Sequence, residues 1–142
     1  MIRLLDANVL IALVDTDHVH AAGALRFFEQ TALRQGWATC PLTENAFLRI
    51  VSHARYPGGP GSTRQARRML HSLRSAPGHQ FWPDVVSLAD AKAFLDLPAA
   101  KHLTDTYLLG LAVKHGGRLA TFDRHIDATR IPGGPQAIEI LS

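Results

Sequence analysis

The chain has a single cysteine in 142 residues, Cys40. That excludes an internal disulfide and a thiolate cage for zinc, and leaves Cys40 to serve as a small buried apolar side chain. No apolar run approaches the ~20 residues that a membrane-spanning helix needs. Asp6 also arrives too early for the apolar region of a signal peptide. Both absences point to a cytoplasmic protein with no membrane attachment. Internal repeats and low-complexity segments are missing too. Lysine is scarce: only Lys92, Lys101 and Lys114 among 15 basic residues, the other 12 being arginine. Arginine suits two-point phosphate contacts, and the net charge of +3 permits a polyanionic partner. A genome rich in G and C would produce the same bias, so it decides nothing alone.

What is present is a chain with 46% hydrophobic and 19% charged residues, the balance of one compact domain spanning residues 1–142. Short apolar runs alternate with helical patterns. IRLLD (2–6) reads as a buried strand, followed by a short helix over 7–14. A second helix fits 18–33, closed by Gly36, and WATC (37–40) reads as the next strand. A helix opens at Pro41 and Thr43 in PLTENAFLRIVSHA, YPGGPGS (56–62) is a turn or loop, and a helix fits 63–75. HQFW (79–82) is another strand, SLADAKAFLD (87–96) has a helical pattern, and TDTYLLGLAVKHG forms a helix with Thr104 as N-cap and Gly116 as its stop. RLATF (118–122) is a strand and AIEIL (137–141) an edge strand. This alternation predicts an α/β fold with a mainly parallel sheet of about five strands.

In such sheets, sites form beyond the carboxyl ends of the strands. Asp6 ends the first strand and Asp123, in LATFDRH, follows RLATF in the same way. Glu44 shares its helical stripe with Phe47, Leu48 and Val51, and Asp105 shares its own with Leu108, Leu109 and Ala112, so both face inward. Each acid alone has an ordinary explanation as a cap, a turn residue or a partner of a helix dipole. Four carboxylates at one sheet edge repel one another unless a cation neutralises them. An all-oxygen set without thiolates or paired histidines favours Mg²⁺ or Mn²⁺ over zinc. Such an ion at a phosphodiester suggests metal-assisted hydrolysis.

The segments LLDANVLIAL, CPLTENAFLRIVS and LTDTYLLGLAVKHGGRLATFDRH together resemble the PIN-domain proteins, specifically the VapC-type ribonuclease toxins of bacterial toxin–antitoxin pairs. The resemblance spans nearly the whole chain and keeps the order of the family's motifs. It implies a three-layer α/β/α fold, a Mg²⁺-dependent endoribonuclease, a cognate antitoxin and a homodimer. Carried over by position, Asp6, Glu44, Asp105 and Asp123 match the catalytic, metal-holding acids. Asn8 matches a small polar residue expected to orient Asp6 or a water, and Thr121 a hydroxyl residue two before the last acid. Whether Asp123 or Asp127 approaches the metal, and whether one ion or two bind, is left open.

Wound as a helix, TRQARRMLHSLRS (63–75) puts Ala66, Met69, Leu70 and Leu73 on one side and Arg64, Arg67, Arg68, His71 and Arg74 on the other. That basic face could grip RNA phosphates or an acidic antitoxin segment, or could simply be solvated. The eight histidines raise a zinc or histidine-based site around DTDHVH (15–20), but the spacing of His18 and His20 suits a loop and no partner motif follows. A phosphatase of the haloacid type would need an acid where Asn8 stands. The remaining alternative is a PIN-like module that binds RNA or a partner without catalysis. A nuclease would lose cleavage in EDTA, whereas a binder would be indifferent to it.

Overall fold

A computed structural model describes residues Met1–Ser142. Five strands make one sheet in the order β3-β2-β1-β4-β5, with every neighbouring pair parallel. They are β1 (Arg3–Leu5), β2 (Trp37–Thr39), β3 (His79–Phe81), β4 (Arg118–Thr121) and β5 (Ile138–Ile140). β5 lies at an edge, as the sequence leads one to expect.

Alternation along each strand sorts the two faces. Leu5, Trp37 and Ala120 point to a layer built by helices α1 (Ala7–Val14), α2 (Ala21–Phe27), α4 (Pro41–Val51) and α5 (Thr63–Arg74). Their strand neighbours Leu4, Ala38 and Leu119 point to the opposite layer, built by α6 (Leu103–Lys114), α7 (Gly134–Ala137) and the segment before α6. This is a three-layer α/β/α sandwich. Full burial of Leu4, Leu5, Leu10, Leu108, Leu109, Leu111 and Leu119 supplies its cohesion, at ~1.5–3 kcal/mol for each side chain. Cys40 is wholly buried between these elements.

Three expectations need correction. The helix expected over 18–33 begins at Ala21, because His18 Nδ1 accepts the His20 N–H at 3.0 Å and holds the preceding residues in a turn. It then runs through a π-helical segment, Phe28–Ala32, into α3 (Leu33–Gln35) before Gly36, with φ 98°, ends it.

The pattern over 87–96 does not become a helix. Ser87 Oγ takes the Ala89 N–H (3.1 Å), Asp90 Oδ1 the Lys92 N–H (2.9 Å) and Asp96 Oδ1 the Leu97 N–H (2.9 Å). Side chains thereby take the donors a helical ladder would use. The segment is fixed by packing instead. Phe94 lies against Gly110 of α6, where a Cβ would stand 2.4 Å from its ring.

Third, Thr104 is not the cap of α6. The 3-10 turn Ala100–His102 leads directly into the helix, which starts at Leu103 with His102 as its N-cap residue. Gly116, with φ 69°, follows its end as expected.

Candidate active site

From β1 the chain winds to β2 and β3 on one side of the sheet and later returns to β4 and β5 on the other. The reversal lies between β1 and β4, which end together because they are parallel and Leu5 is in register with Ala120. A crevice opens at the carboxyl end of strands at such a reversal. Asp6 is the first residue past β1, and Asp123 stands two residues past β4.

Asp6 is both a cap and a buried acid. Its Oδ1 accepts the Ala7 N–H at 2.7 Å, opening α1, and its Oδ2 accepts the Thr121 hydroxyl at 2.7 Å. Burial pushes its pKa up, and the charge of Asp123 adds to this, against the lowering effect of those two hydrogen bonds. Thr121 Oγ1 in turn accepts from Asn8 Nδ2 (3.3 Å) and from the Asp123 N–H (3.1 Å), while Asn8 Oδ1 accepts the Phe122 N–H (3.5 Å). Asn8 therefore reaches Asp6 through Thr121, and Thr121 ties both acidic strand ends into one unit.

Asp105, in the first turn of α6, comes up to them from the other layer. Its carboxyl is pushed up to about 7, first by burial, then by the charge of Asp6 and by the hydrogen bond and charge of Asp123. Burial also pushes Asp123 up. The His125 N–H, the Asp105 hydrogen bond and the charges of His125 and His102 outweigh that and bring it below the ordinary value. Two carboxyl groups thus share one proton near neutral pH, with a third close enough to add its field. A divalent cation can replace that proton and offset two of the three negative charges, so the donor set fits one.

A residue passed over in the sequence joins them. Ligand atoms of His102, Asp105 and Asp123 all lie within 4.8 Å of one another. The signal was available in HLTD: positions three apart at a helix start share a face. In DTDHVH, by contrast, His18 and His20 form a local turn.

Glu44 is held differently. The Thr39 hydroxyl donates to its Oε2 at 2.6 Å, and Arg74 pairs with the same oxygen at 3.2 Å. Thr39 Oγ1 is also 2.8 Å from His79 Nε2. The local cause is the start of α4, where the Cys40 N–H donates to Thr43 Oγ1 at 3.0 Å and fixes the first turn. Of the basic face on α5, Arg64, Arg67 and Arg68 are exposed. Arg74 turns inward to Glu44 instead, its guanidinium 5.3 Å from the centre of the Phe81 ring. Asp127 is occupied elsewhere, accepting the Thr129 N–H (3.1 Å) and hydroxyl (2.6 Å).

Comparison with known proteins agrees with this layout. Residues 3–132 match the PIN domain family. The chain is 43% identical to ribonuclease VapC44 of Mycobacterium tuberculosis over 135 residues, covering 94% of each. It is 42% identical to ribonuclease VapC39 of the same organism over 125 residues, covering 87% of this chain and 89% of that one. Among solved structures, VapBC2 from Rickettsia felis, bound to a DNA fragment from its promoter, superposes with a TM-score of 0.67 over the full length of both chains at 14% identity. Mycobacterium tuberculosis VapC20, described as a Sarcin-Ricin loop cleaving toxin, gives 0.61 at 12% identity, covering 92% of this chain and 96% of that one. Those two likenesses speak for the fold.

Proposed function

This chain belongs to the PIN-domain family and is a relative of the VapC ribonucleases; from that premise we propose that it is the toxin of a toxin–antitoxin pair, an endoribonuclease dependent on Mg²⁺, with Mn²⁺ as a substitute. The observation that carries the reading is the meeting of Asp6, Asp105 and Asp123 at the reversal between β1 and β4. Residues 1–142 act as one nuclease domain. Asp6, Asp105 and Asp123 would hold the cation, with Glu44 completing the acidic site.

A bound divalent ion supplies Lewis acidity toward a phosphodiester and makes an attacking water more acidic. The protein's own groups prepare the place. Thr121 fixes Asp6 and the backbone of Asp123 together, so the two strand ends keep one spacing. Asn8 holds that hydroxyl in position. Asp105 holds a proton that a bound cation would displace. Glu44, paired with Arg74 and oriented by Thr39, would accept a proton from water. The exposed Arg64, Arg67 and Arg68 would engage RNA phosphates, in keeping with the identity to relatives named as ribonucleases.

The partner proposed is a cognate antitoxin that covers this acidic edge, and the oligomer proposed is a homodimer. No helix is long and apolar enough to cross a membrane, which is compatible with a cytoplasmic site of action. The test is cleavage of total RNA by the purified chain, read by sequencing of new 5′ ends. Cleavage should disappear in EDTA, return with Mg²⁺, and be absent in Asp6→Asn with an unchanged circular dichroism spectrum. RNA that binds without being cut, indifferent to EDTA, would replace this reading with that of a binding module.

A further inference from the structure

His102 stands three positions ahead of Asp105 and directly precedes α6, so the imidazole and the carboxylate project from the same side of the helix start. The ring nitrogen, an Asp105 oxygen and an Asp123 oxygen lie within 4.8 Å of one another. An ion with ligand bonds of ~2.0–2.2 Å holds ligand atoms ~3 to ~4.4 Å apart, so side-chain rotations that draw the three atoms together by up to ~1–2 Å seat them on one ion. Asp123 Oδ1 accepts the His125 N–H at 2.8 Å, and the other two acids are more heavily engaged, each Asp6 oxygen keeping a second lone pair for a cation. Asp6 spends one on the Ala7 N–H and one on Thr121, and Glu44 is paired with Arg74 and Thr39.

We propose that His102 is a direct nitrogen ligand of the cation in this site, which makes the donor set mixed and gives the protein a preference for Mn²⁺ over Mg²⁺. The inference rests on the metal-dependent reading of the site given above. Its chemistry is that of ligand type: imidazole suits transition metals, whereas Mg²⁺ takes oxygen ligands and keeps several of its waters. The expectation of an all-oxygen site, which pointed to Mg²⁺ first, is thereby changed by one residue.

The experiment uses the full chain, freed of metal and titrated with MnCl₂ while the electron paramagnetic resonance signal of free Mn²⁺ is followed. MgCl₂ then serves as the competitor. The wild-type protein should bind Mn²⁺ at least ~10-fold more tightly than Mg²⁺. Pulsed resonance on the Mn²⁺ complex should show a directly coordinated nitrogen, replaced by the ¹⁵N pattern in protein labelled at histidine. His102→Ala should abolish that coupling and weaken Mn²⁺ at least ~10-fold, leaving Mg²⁺ affinity within about threefold. His102→Gln, which keeps a polar side chain at the helix start, should behave in the same way. Bound Mn²⁺ without nitrogen coupling in the wild type, or coupling that survives both variants, would overturn the inference and leave the nuclease reading standing. Failure of the wild type to bind either ion would overturn both.

Discussion

Replacing Asp105 by asparagine should stabilise the metal-free protein at pH 8 and cost it stability once metal is present. The carboxyl is pushed from 3.8 to about 7 in the folded chain. Each pKa unit is 1.36 kcal/mol, so ionising it in the fold costs about 4 kcal/mol at most, and partial exposure of the site reduces this to ~1–2 kcal/mol. The sign follows from the raised value. The folded state holds a proton that the unfolded state releases, so this group's stabilising contribution is complete below pH ~4 and is lost as pH rises through about 7. An amide has no such dependence and can still donate a hydrogen bond to Asp123. Urea denaturation in EDTA should therefore show Asp105→Asn ahead of the wild type at pH 8, with a smaller gap at pH 5. In Mg²⁺ at a hundred times its Kd the wild type gains ~2.7 kcal/mol, and the variant, short of one ligand and binding ~100-fold more weakly, gains only ~0.4 kcal/mol, so the order reverses. A variant less stable than the wild type in EDTA at pH 8, or a gap that does not change with pH, would refute the account of a strained, proton-sharing site.

Further outcomes are expected elsewhere. Thr121→Val keeps the shape of a wholly buried residue but removes the donor to Asp6. RNA cleavage should fall ~10–100-fold, and denaturation should show a loss of ~1–3 kcal/mol. Gly110→Ala places a methyl 2.4 Å from the Phe94 ring and should cost ~1–3 kcal/mol by urea denaturation, relieved by Phe94→Leu in the same chain. Glu44→Gln should relieve growth inhibition when the protein is produced without a partner, and persistent toxicity would count against the role given to Glu44.

The sheet and the meeting of Asp6 with Asp123 were legible because period-two burial and the carboxyl-end rule both operate over a few residues. Asp105 was legible from its place in the first turn of α6, although Thr106 to Ala112 are all buried and the helix has no single apolar stripe. Residues 87–96 misled because Ser87, Asp90 and Asp96 bond to their own backbone, a competition that apolar spacing does not register. Thr104 misled because a 3-10 turn upstream had already begun the helix. Arg74 reads as one more RNA-binding arginine on the basic face of α5, and only the packing of α4 against α5 reveals that it reaches Glu44. His102 was hidden by its surroundings in the chain rather than by its chemistry, since its significance depends on Asp123, which lies beyond a whole helix and strand.

The hydrogen bond from Thr121 to Asp6 joins residues 115 positions apart, and that distance has a meaning for synthesis. The central strand β1 is made well before its neighbour β4 and the acid behind it. Contacts of such long range close late in folding. A ribosome building this chain therefore carries, until β4 emerges, a polypeptide with Asp6 in place and nothing for it to face. The same strand order that brings the acids together leaves the site unassembled until β4 has been made.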